Sequence, residues 1–409
     1  MSNFQKSTLP NGVRVLTEKM ANVRSVSLGV WVMSGSRNET PENNGVSHFV
    51  EHMVFKGTET RSANDIAESI ESVGGILNAF TSRETTCFYA KVMDQHQPMA
   101  LEVLSDLITS PKLDIKDVRK ERKVVLEELK NSEDTPDDII HDHFIKNVFY
   151  RSPLGFPILG PKKNVRSFSP ESVQSYLTSN YTPDRILVSA SGNIDHQKIV
   201  EDSAKWLGIL KGQFQGTENQ IGTFRKGTFT KTAEIQQAHI LMGGRCFSYA
   251  HKYRFPLLVL NTVLGGGMSS RLFRTIREDK GLAYSIYSYL EKFVDSGIYG
   301  IYAGTDKNKV QQCIDLIWKE LKKLTKEKIS DAELSRIKSQ IKGSLMLSLE
   351  STSSRMMKLA RMELYSGKFE TLDSTIKAID SVTAEQVMEV ANEIFTDKNL
   401  SITIIKPKK

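Results

Sequence analysis

The sequence has little cysteine and no long apolar segment. Its 409 residues include three cysteines, Cys87, Cys246 and Cys313, which lie far apart and form no CxxC pair. This pattern indicates a reducing compartment and argues against a disulfide framework or a thiolate zinc site. No apolar run approaches the roughly 18 residues of a membrane span, and the amino-terminal segment lacks an apolar signal core. We therefore expect no membrane association and a cytoplasmic protein.

A large excess of charge of one sign is also lacking. The net charge is +7, from 55 Lys and Arg against 48 Asp and Glu, and the two signs are interleaved along the chain. Interleaved charge is typical of solvated helix faces, and no nucleic-acid-binding motif accompanies it, so we expect no nucleic-acid partner. The hydrophobic content of 39% is that of a globular protein, and the length suits two domains of roughly 200 residues each.

The chain contains two copies of one structural plan. In each copy an amphipathic helix precedes a turn and an apolar strand, and further upstream a helix and a Gly precede a strand hairpin. The clearest paired segments are 169–189 with 383–403, and 107–125 with 321–341. The sequence therefore predicts two related α+β halves, residues 1–210 and 228–409. Each half should be an antiparallel-rich mixed sheet with helices packed on one face.

The segment GVSHFVEHMVFKGT, residues 45–58, carries two histidines four residues apart with a glutamate between them. On a helix, His48 and His52 share a face and can direct both imidazoles at one ion, while Glu51 lies at the edge of that face. The H-x-x-E-H spacing is a described zinc hydrolase signature. Two histidines that merely share a helix face are the alternative, but the apolar flanks make such buried polarity costly without a metal.

The second copy supplies an internal control for this cluster. The segment that matches it, residues 263–273, contains no His and no Glu, so the cluster is not required by the shared fold. A catalytic zinc ion takes three protein ligands, and the predicted helix over 117–131 offers the third. Glu121 and Glu128 lie two turns apart on one face of it, whereas Glu127 points about 100° away. Spacing alone leaves the choice among these carboxylates open.

With these residues in place, the chain resembles the pitrilysin/insulinase family of inverzincin peptidases. In particular it is similar to bacterial relatives of the mitochondrial processing peptidase β subunit. The resemblance covers nearly the whole chain and rests on several motifs. These are LPNGVRVL, HFVEHMVFKGT, GGILNAFTSRETTCFYA, ERKVVLEEL, YTPDR and LGGGMSSRLFRTIREDKGLAYSIYS.

The resemblance implies a zinc-dependent endopeptidase that holds one zinc ion per chain. His48, His52 and Glu128 would be the zinc ligands. Glu51 would be the general base that takes a proton from the attacking water. Glu121 would orient a ligand histidine from outside the ligand set.

The resemblance also implies how a peptide substrate is bound. Asn78, Ala79 and Phe80 would lie on an edge strand to which the peptide adds as a further strand. Arg277 and Tyr284, from the half without zinc, would bind substrate and take part in catalysis, with the Tyr284 hydroxyl stabilising the developing oxyanion. A homodimer with a shared chamber is expected, in which these two residues complete the partner's site. The alternative is a non-catalytic, substrate-holding relative of the same family.

Overall fold

Two mixed β-sheets and the helices that cover them make up the protein. The computed structural model describes residues 3–216 and 221–408. The strands are β1 Phe4–Thr8, β2 Arg14–Lys19, β3 Ser25–Val32, β4 Ile76–Thr81, β5 Thr86–Met93, β6 Ile186–Gly192, β7 Gly227–Ala233, β8 Ala238–Cys246, β9 Ala283–Lys292, β10 Gly297–Thr305 and β11 Ser401–Pro407. The longer helices of the first half are α1 Val46–Val54, α2 Ala63–Glu71, α3 Gln97–Thr109, α4 Ile115–Glu133, α5 Pro136–Val148, α6 Lys162–Ser167, α7 Pro170–Asn180 and α8 His196–Leu207. Those of the second half are α9 Arg254–Gly265, α10 Val310–Lys326, α11 Asp331–Ser348, α12 Thr352–Ser366, α13 Leu372–Asp380 and α14 Ala384–Ile394.

The two sheets share one topology. The first has the strand order β1-β2-β6-β3-β5-β4, and the second has β7-β11-β8-β10-β9. In each sheet one pair is parallel, β2 with β6 and β7 with β11, and the other pairs are antiparallel. Apart from β1, the second sheet repeats the first strand by strand. The predicted fold class, two related α+β halves with antiparallel-rich mixed sheets, is confirmed.

The chain forms two compact units, and each unit takes one helix from the other half of the sequence. The first unit contains the first sheet, α1 to α3, most of α4, α6 to α8, and α12. The second contains the second sheet, α5, α9, α10, most of α11, α13 and α14. The predicted domain boundaries, 1–210 and 228–409, rest on the duplicated sequence segments and stay a prediction. The compact units follow the packing instead.

The exchanged helices cover the second face of each sheet. In the first unit the main core lies between the sheet and the helices of its own half, with Leu28 and Val30 of β3 pointing into it. Because side chains alternate along a strand, Trp31 points to the opposite face, where it packs with Met356 and Ala360 of α12. In the second unit α5 packs on β8 and β11 in the same way.

Helix α9 is the counterpart of α1. Each of the two packs against the edge strand of its sheet, β9 or β4, and against the corresponding later helix, α14 or α7. The counterpart therefore lies earlier than residues 263–273, which overlap only the end of α9. The sequence of α9, RFPLLVLNTVLG, also contains no His and no Glu. Within the described residues, no helix combines the length and the apolar character needed to cross a membrane.

Candidate metal centre

The helix that carries both histidines starts at a glycine the fold requires. Gly45 precedes α1 with a φ of 100°, in the left-handed region, and a Cβ there would lie 2.7 Å from the carbonyl oxygen of Leu159. The apolar residues of α1 face the core; they are Val46, Phe49, Val50, Met53 and Val54. This packing turns His48, Glu51 and His52, all partly buried, to the other side of the helix.

Glu39 satisfies the amino-terminal end of α1. This carboxylate is 3% exposed and accepts hydrogen bonds from the backbone N–H groups of Gly45 and Ser47 at 2.8 and 2.7 Å. It also accepts from the Ser47 hydroxyl and the Asn44 amide. Burial raises the pKa of Glu39, while these four hydrogen bonds oppose that rise. An anion suits the positive end of the helix dipole. The sequence did not reveal Glu39, because this residue lies further upstream of α1 than the residues of a helix-capping motif do.

Helix α4 brings Glu128 to the two histidines. Glu128 Oε2 lies 3.8 Å from His48 Nε2 and 3.5 Å from His52 Nε2. One ligand atom from each of the three residues lies within 4.8 Å of the others. In the part of the chain that the structure describes, no other group of three His, Cys, Asp or Glu residues meets that condition. Glu127 is directed to solvent, with its side chain 70% exposed and 3.8 Å from Lys130.

The donor atoms fit a zinc ion. Glu128 Oε2 is a buried carboxylate oxygen without a hydrogen-bond donor, although the side chain as a whole is partly exposed. Such an atom is costly to bury unless a cation compensates it. Burial, helped by nearby His52, lowers the pKa of His48 to about 3, so its imidazole stays neutral, as metal binding requires. Two imidazoles and one carboxylate are a common ligand set of catalytic zinc.

A second carboxylate of α4 lies behind the histidines. Glu121 is 4% exposed, and its Oε2 lies 3.2 Å from His52 Nδ1. Its Oε1 lies 2.8 Å from Lys56 Nζ. A carboxylate at the outer nitrogen of a ligand histidine selects the tautomer and the ring orientation. Sequence reasoning did not include Lys56, although its position one turn after His52 was a usable signal.

Glu51 lies between α1 and the edge strand. The hydroxyl of Thr81, the last residue of β4, donates to Glu51 Oε2 at 2.5 Å. Burial raises the pKa of Glu51; the Thr81 hydrogen bond and His52 lower it, and Glu128 raises it further. A carboxyl whose pKa is raised suits proton transfer near neutral pH. Thr81 was not among the predicted site residues, because a contact 30 positions away along the chain leaves no local signal.

Strand β4 forms the edge of the first sheet, next to α1. Asn78 is exposed on it, and its Oδ1 accepts a hydrogen bond from the N–H of Ala79 at 2.8 Å. Phe80 packs edge-on against Trp31, with ring centroids 5.6 Å apart. The structure thus places these residues at a sheet edge beside the metal-binding group. Their role in substrate binding stays a prediction.

Arg277 and Tyr284 lie in the second compact unit. Arg277 belongs to the π-helical turn Phe273–Glu278, and Tyr284 belongs to β9. The Arg277 guanidinium carbon is 5.3 Å from the centroid of the Tyr284 ring, which belongs to a residue 77% exposed. The structure brings these two predicted residues together. Their participation in the metal centre stays a prediction.

Comparisons with known proteins identify the family of this chain. Residues 14–162 match the family described as Insulinase (Peptidase family M16), and residues 167–341 match Peptidase M16 inactive domain. An uncharacterized zinc protease of Bacillus subtilis is 45% identical over 404 residues, which are 99% of this chain and 98% of that protein. The chain therefore belongs to the M16 peptidase family, as the motifs indicated. Zinc is the metal named for its relatives and the metal that the His-His-Glu group fits.

Solved structures agree with the fold. A protease from Helicobacter pylori aligns with a TM-score of 0.91 at 24% identity, and the alignment covers 100% of both chains. A peptidase M16 inactive domain from Pseudomonas fluorescens aligns with a TM-score of 0.93 at 16% identity, covering 100% of this chain and 99% of the other. At these identities the likeness concerns the fold alone.

Proposed function

We propose that this protein is a zinc-dependent endopeptidase that hydrolyses peptides or unfolded polypeptide segments. The observation that carries the proposal is the partly buried group of His48, His52 and Glu128, with Glu51 beside it. A bound zinc ion supplies Lewis acidity, which makes a water molecule acidic enough to lose a proton near neutral pH. His48, His52 and Glu128 would hold that ion.

Glu51 is the proposed general base. Its carboxylate takes a proton from the attacking water and then delivers it to the leaving amine. The rise of its pKa on burial supports the second step, because a carboxylate of ordinary pKa holds a proton poorly at neutral pH. Glu121 is the proposed carboxylate that orients His52, consistent with its 3.2 Å distance from Nδ1.

The proposed substrate site is the free edge of β4. An extended peptide would pair with this strand through main-chain hydrogen bonds, near Asn78, Ala79 and Phe80. Main-chain pairing tolerates many side chains but requires an extended partner. The proposal therefore favours peptides and unfolded segments over folded proteins.

We further propose a homodimer with a shared chamber, in which Arg277 and Tyr284 of one subunit complete the site of the other. The exposure of Tyr284 beside the partly buried Arg277 supports this role, since an exposed phenol with a guanidinium next to it is available to a ligand. The measurement is the mass in solution of the fraction that carries the peptidase activity. A fully active monomer would contradict this part of the proposal.

We also propose a cytoplasmic location. Cys87 and Cys313 are buried, Cys246 is partly buried, and all three are free thiols. Free thiols are typical of proteins in reducing compartments. Fractionation of cells that produce the protein would test the location.

The main test pairs metal content with cleavage. We expect the wild-type protein to hold about one zinc ion per chain and to cut a mixed set of unstructured peptides. Glu51→Gln should keep the zinc and lose the cleavage, because the amide cannot accept the proton. Glu127→Gln is the matched control: it removes an exposed carboxylate next to Glu128 and should leave both properties unchanged.

A non-catalytic, substrate-holding relative is the second candidate. It is favoured by one observation: residues 167–341 match a family model described as an inactive domain. The matched residues begin after His48, His52 and Glu128, which all lie within the separate match over residues 14–162, so the match to an inactive domain does not oppose activity at the metal-binding group. A wild-type protein that holds no zinc and cuts no peptide would establish the second candidate.

A further inference from the structure

Thr81 connects the edge strand to the carboxylate beside the metal-binding group. Its hydroxyl lies 2.5 Å from Glu51 Oε2 and 3.5 Å from the hydroxyl of Thr86. The Thr86 hydroxyl already donates to the carbonyl oxygen of Ser34 at 2.9 Å. An ionised carboxylate can only accept hydrogen bonds, so the hydroxyl proton of Thr81 is directed at Glu51.

The alternation of β4 explains this contact. Leu77 and Ala79 pack against the core that also contains the apolar face of α1. Thr81 is the next residue on the same face, because alternate side chains of a strand point the same way. Phe80, which points to the opposite face, packs on Trp31 instead. The position of the hydroxyl is therefore set by the backbone of β4.

We propose that Thr81 is a positioning residue for the reaction: its hydroxyl fixes the carboxylate orientation of Glu51. This inference rests on the proposed function. With Oε2 of Glu51 held by Thr81, Oε1 is the oxygen left to take the proton. A glutamate side chain has several rotatable bonds, and a single strong hydrogen bond removes much of that freedom.

The contact also links the two parts of the proposed site. The strand that would pair with the substrate backbone is the strand that holds the base. The backbone of β4 therefore sets the position of both the bound peptide and the Glu51 carboxylate. Fixed geometry between a reacting group and a bound substrate contributes to rate rather than to binding.

The experiment compares Thr81→Val with Thr81→Ser. Valine keeps the branched shape but removes the hydroxyl, and we expect kcat to fall about tenfold. KM should stay within about twofold and zinc per chain should be unchanged, because the hydroxyl contacts neither the substrate nor the zinc ligands in this proposal. Serine keeps the hydroxyl and should restore most of kcat.

Thr86→Val is the matched control. It makes the same change at the residue paired with Thr81 on β5, where the hydroxyl binds Ser34 rather than Glu51. Its kcat should stay within about twofold of wild type, even if its unfolding midpoint falls. An equal loss of kcat in this control would show that a change anywhere in the paired strands β4 and β5 lowers kcat. That result would overturn the inference.

A test that does not depend on peptidase activity is a double-mutant cycle on the free energy of unfolding in urea. Thr81→Val should cost less stability in a Glu51→Ala background than in the wild-type background, because the partner is already missing. Additive effects, or a Thr81→Val enzyme with normal kcat, would overturn this inference alone. A wild-type protein that cuts no peptide would overturn the proposed function and this inference together, so the two failures are distinguishable.

Discussion

Replacing Glu121 by glutamine should weaken zinc binding although it removes no proposed zinc ligand. Glu121 lies between His52 and Lys56, with one carboxylate oxygen toward each. Glutamine has nearly the same shape, so the packing around α4 is preserved. What disappears is the negative charge that favours a proton on His52 Nδ1 and leaves Nε2 as the donor to the metal.

The size of the effect follows from the burial of this carboxylate. Loss of a partner behind a metal ligand typically costs about 10- to 100-fold in metal affinity, or about 1.4 to 2.7 kcal/mol. Because Glu121 is 4% exposed, water cannot compensate for the lost negative charge beside His52. The Lys56 side chain is about one-third exposed and can be solvated by water. The loss of its ion-pair partner therefore adds little to the loss of zinc affinity. We therefore expect a loss of about 50-fold.

Competition with a chromophoric chelator measures this loss directly. Glu127→Gln changes an exposed carboxylate of the same helix and should bind zinc like the wild type. Glu128→Gln removes a proposed ligand and should lose more affinity than Glu121→Gln. A zinc affinity of Glu121→Gln within about twofold of wild type would refute the proposed role of this carboxylate.

Two further predictions concern stability. Glu39→Ala leaves the N–H groups of Gly45 and Ser47 without an acceptor and should lower the free energy of unfolding by about 3 kcal/mol. Urea titration measures it, and a loss below about 1 kcal/mol would contradict the anchoring of α1. Burial, then the charge of Lys231, lowers the pKa of His143 to about 4 from 6.5. Between these pH values the imidazole is protonated in the unfolded chain but neutral in the folded chain, so the free energy of unfolding falls on acidification. The His143→Gln variant should lose less of its free energy of unfolding between about pH 6.5 and 5 than the wild type does. Equal losses in the two proteins would contradict the lowered pKa.

The sequence predicted the repeated parts of the fold well. The duplicated helix-and-strand segments correspond to sheets with the same strand order, because hydrophobic periodicity reports which face of each element is buried. The exchange of α5 and α12 was not predictable. An amphipathic pattern shows that a helix buries one face, but it does not show which sheet receives that face.

The candidate site was predictable where its residues share one helix. The spacing of His48, Glu51 and His52 predicted their common side, and the structure places them there. Helical spacing could not choose between Glu127 and Glu128, because that choice depends on how α4 is rotated against α1. Thr81 contacts α1 from a strand 30 positions away along the chain, and Glu39 contacts it from the segment just upstream but beyond the reach of a capping motif, so only the folded chain reveals them.

The exchange of α5 and α12 affects how the protein can be divided. A fragment that ends at the 211–227 segment would retain α5, whose sheet it lacks. It would also expose Trp31 and its neighbours, which α12 covers in the whole chain. Such a fragment would present a broad apolar sheet face to water and would be prone to aggregate. The boundary predicted from the duplicated sequence therefore differs from the packing boundary, and a fragment that carries the metal-binding group would need residues 348–369 as well to cover this face.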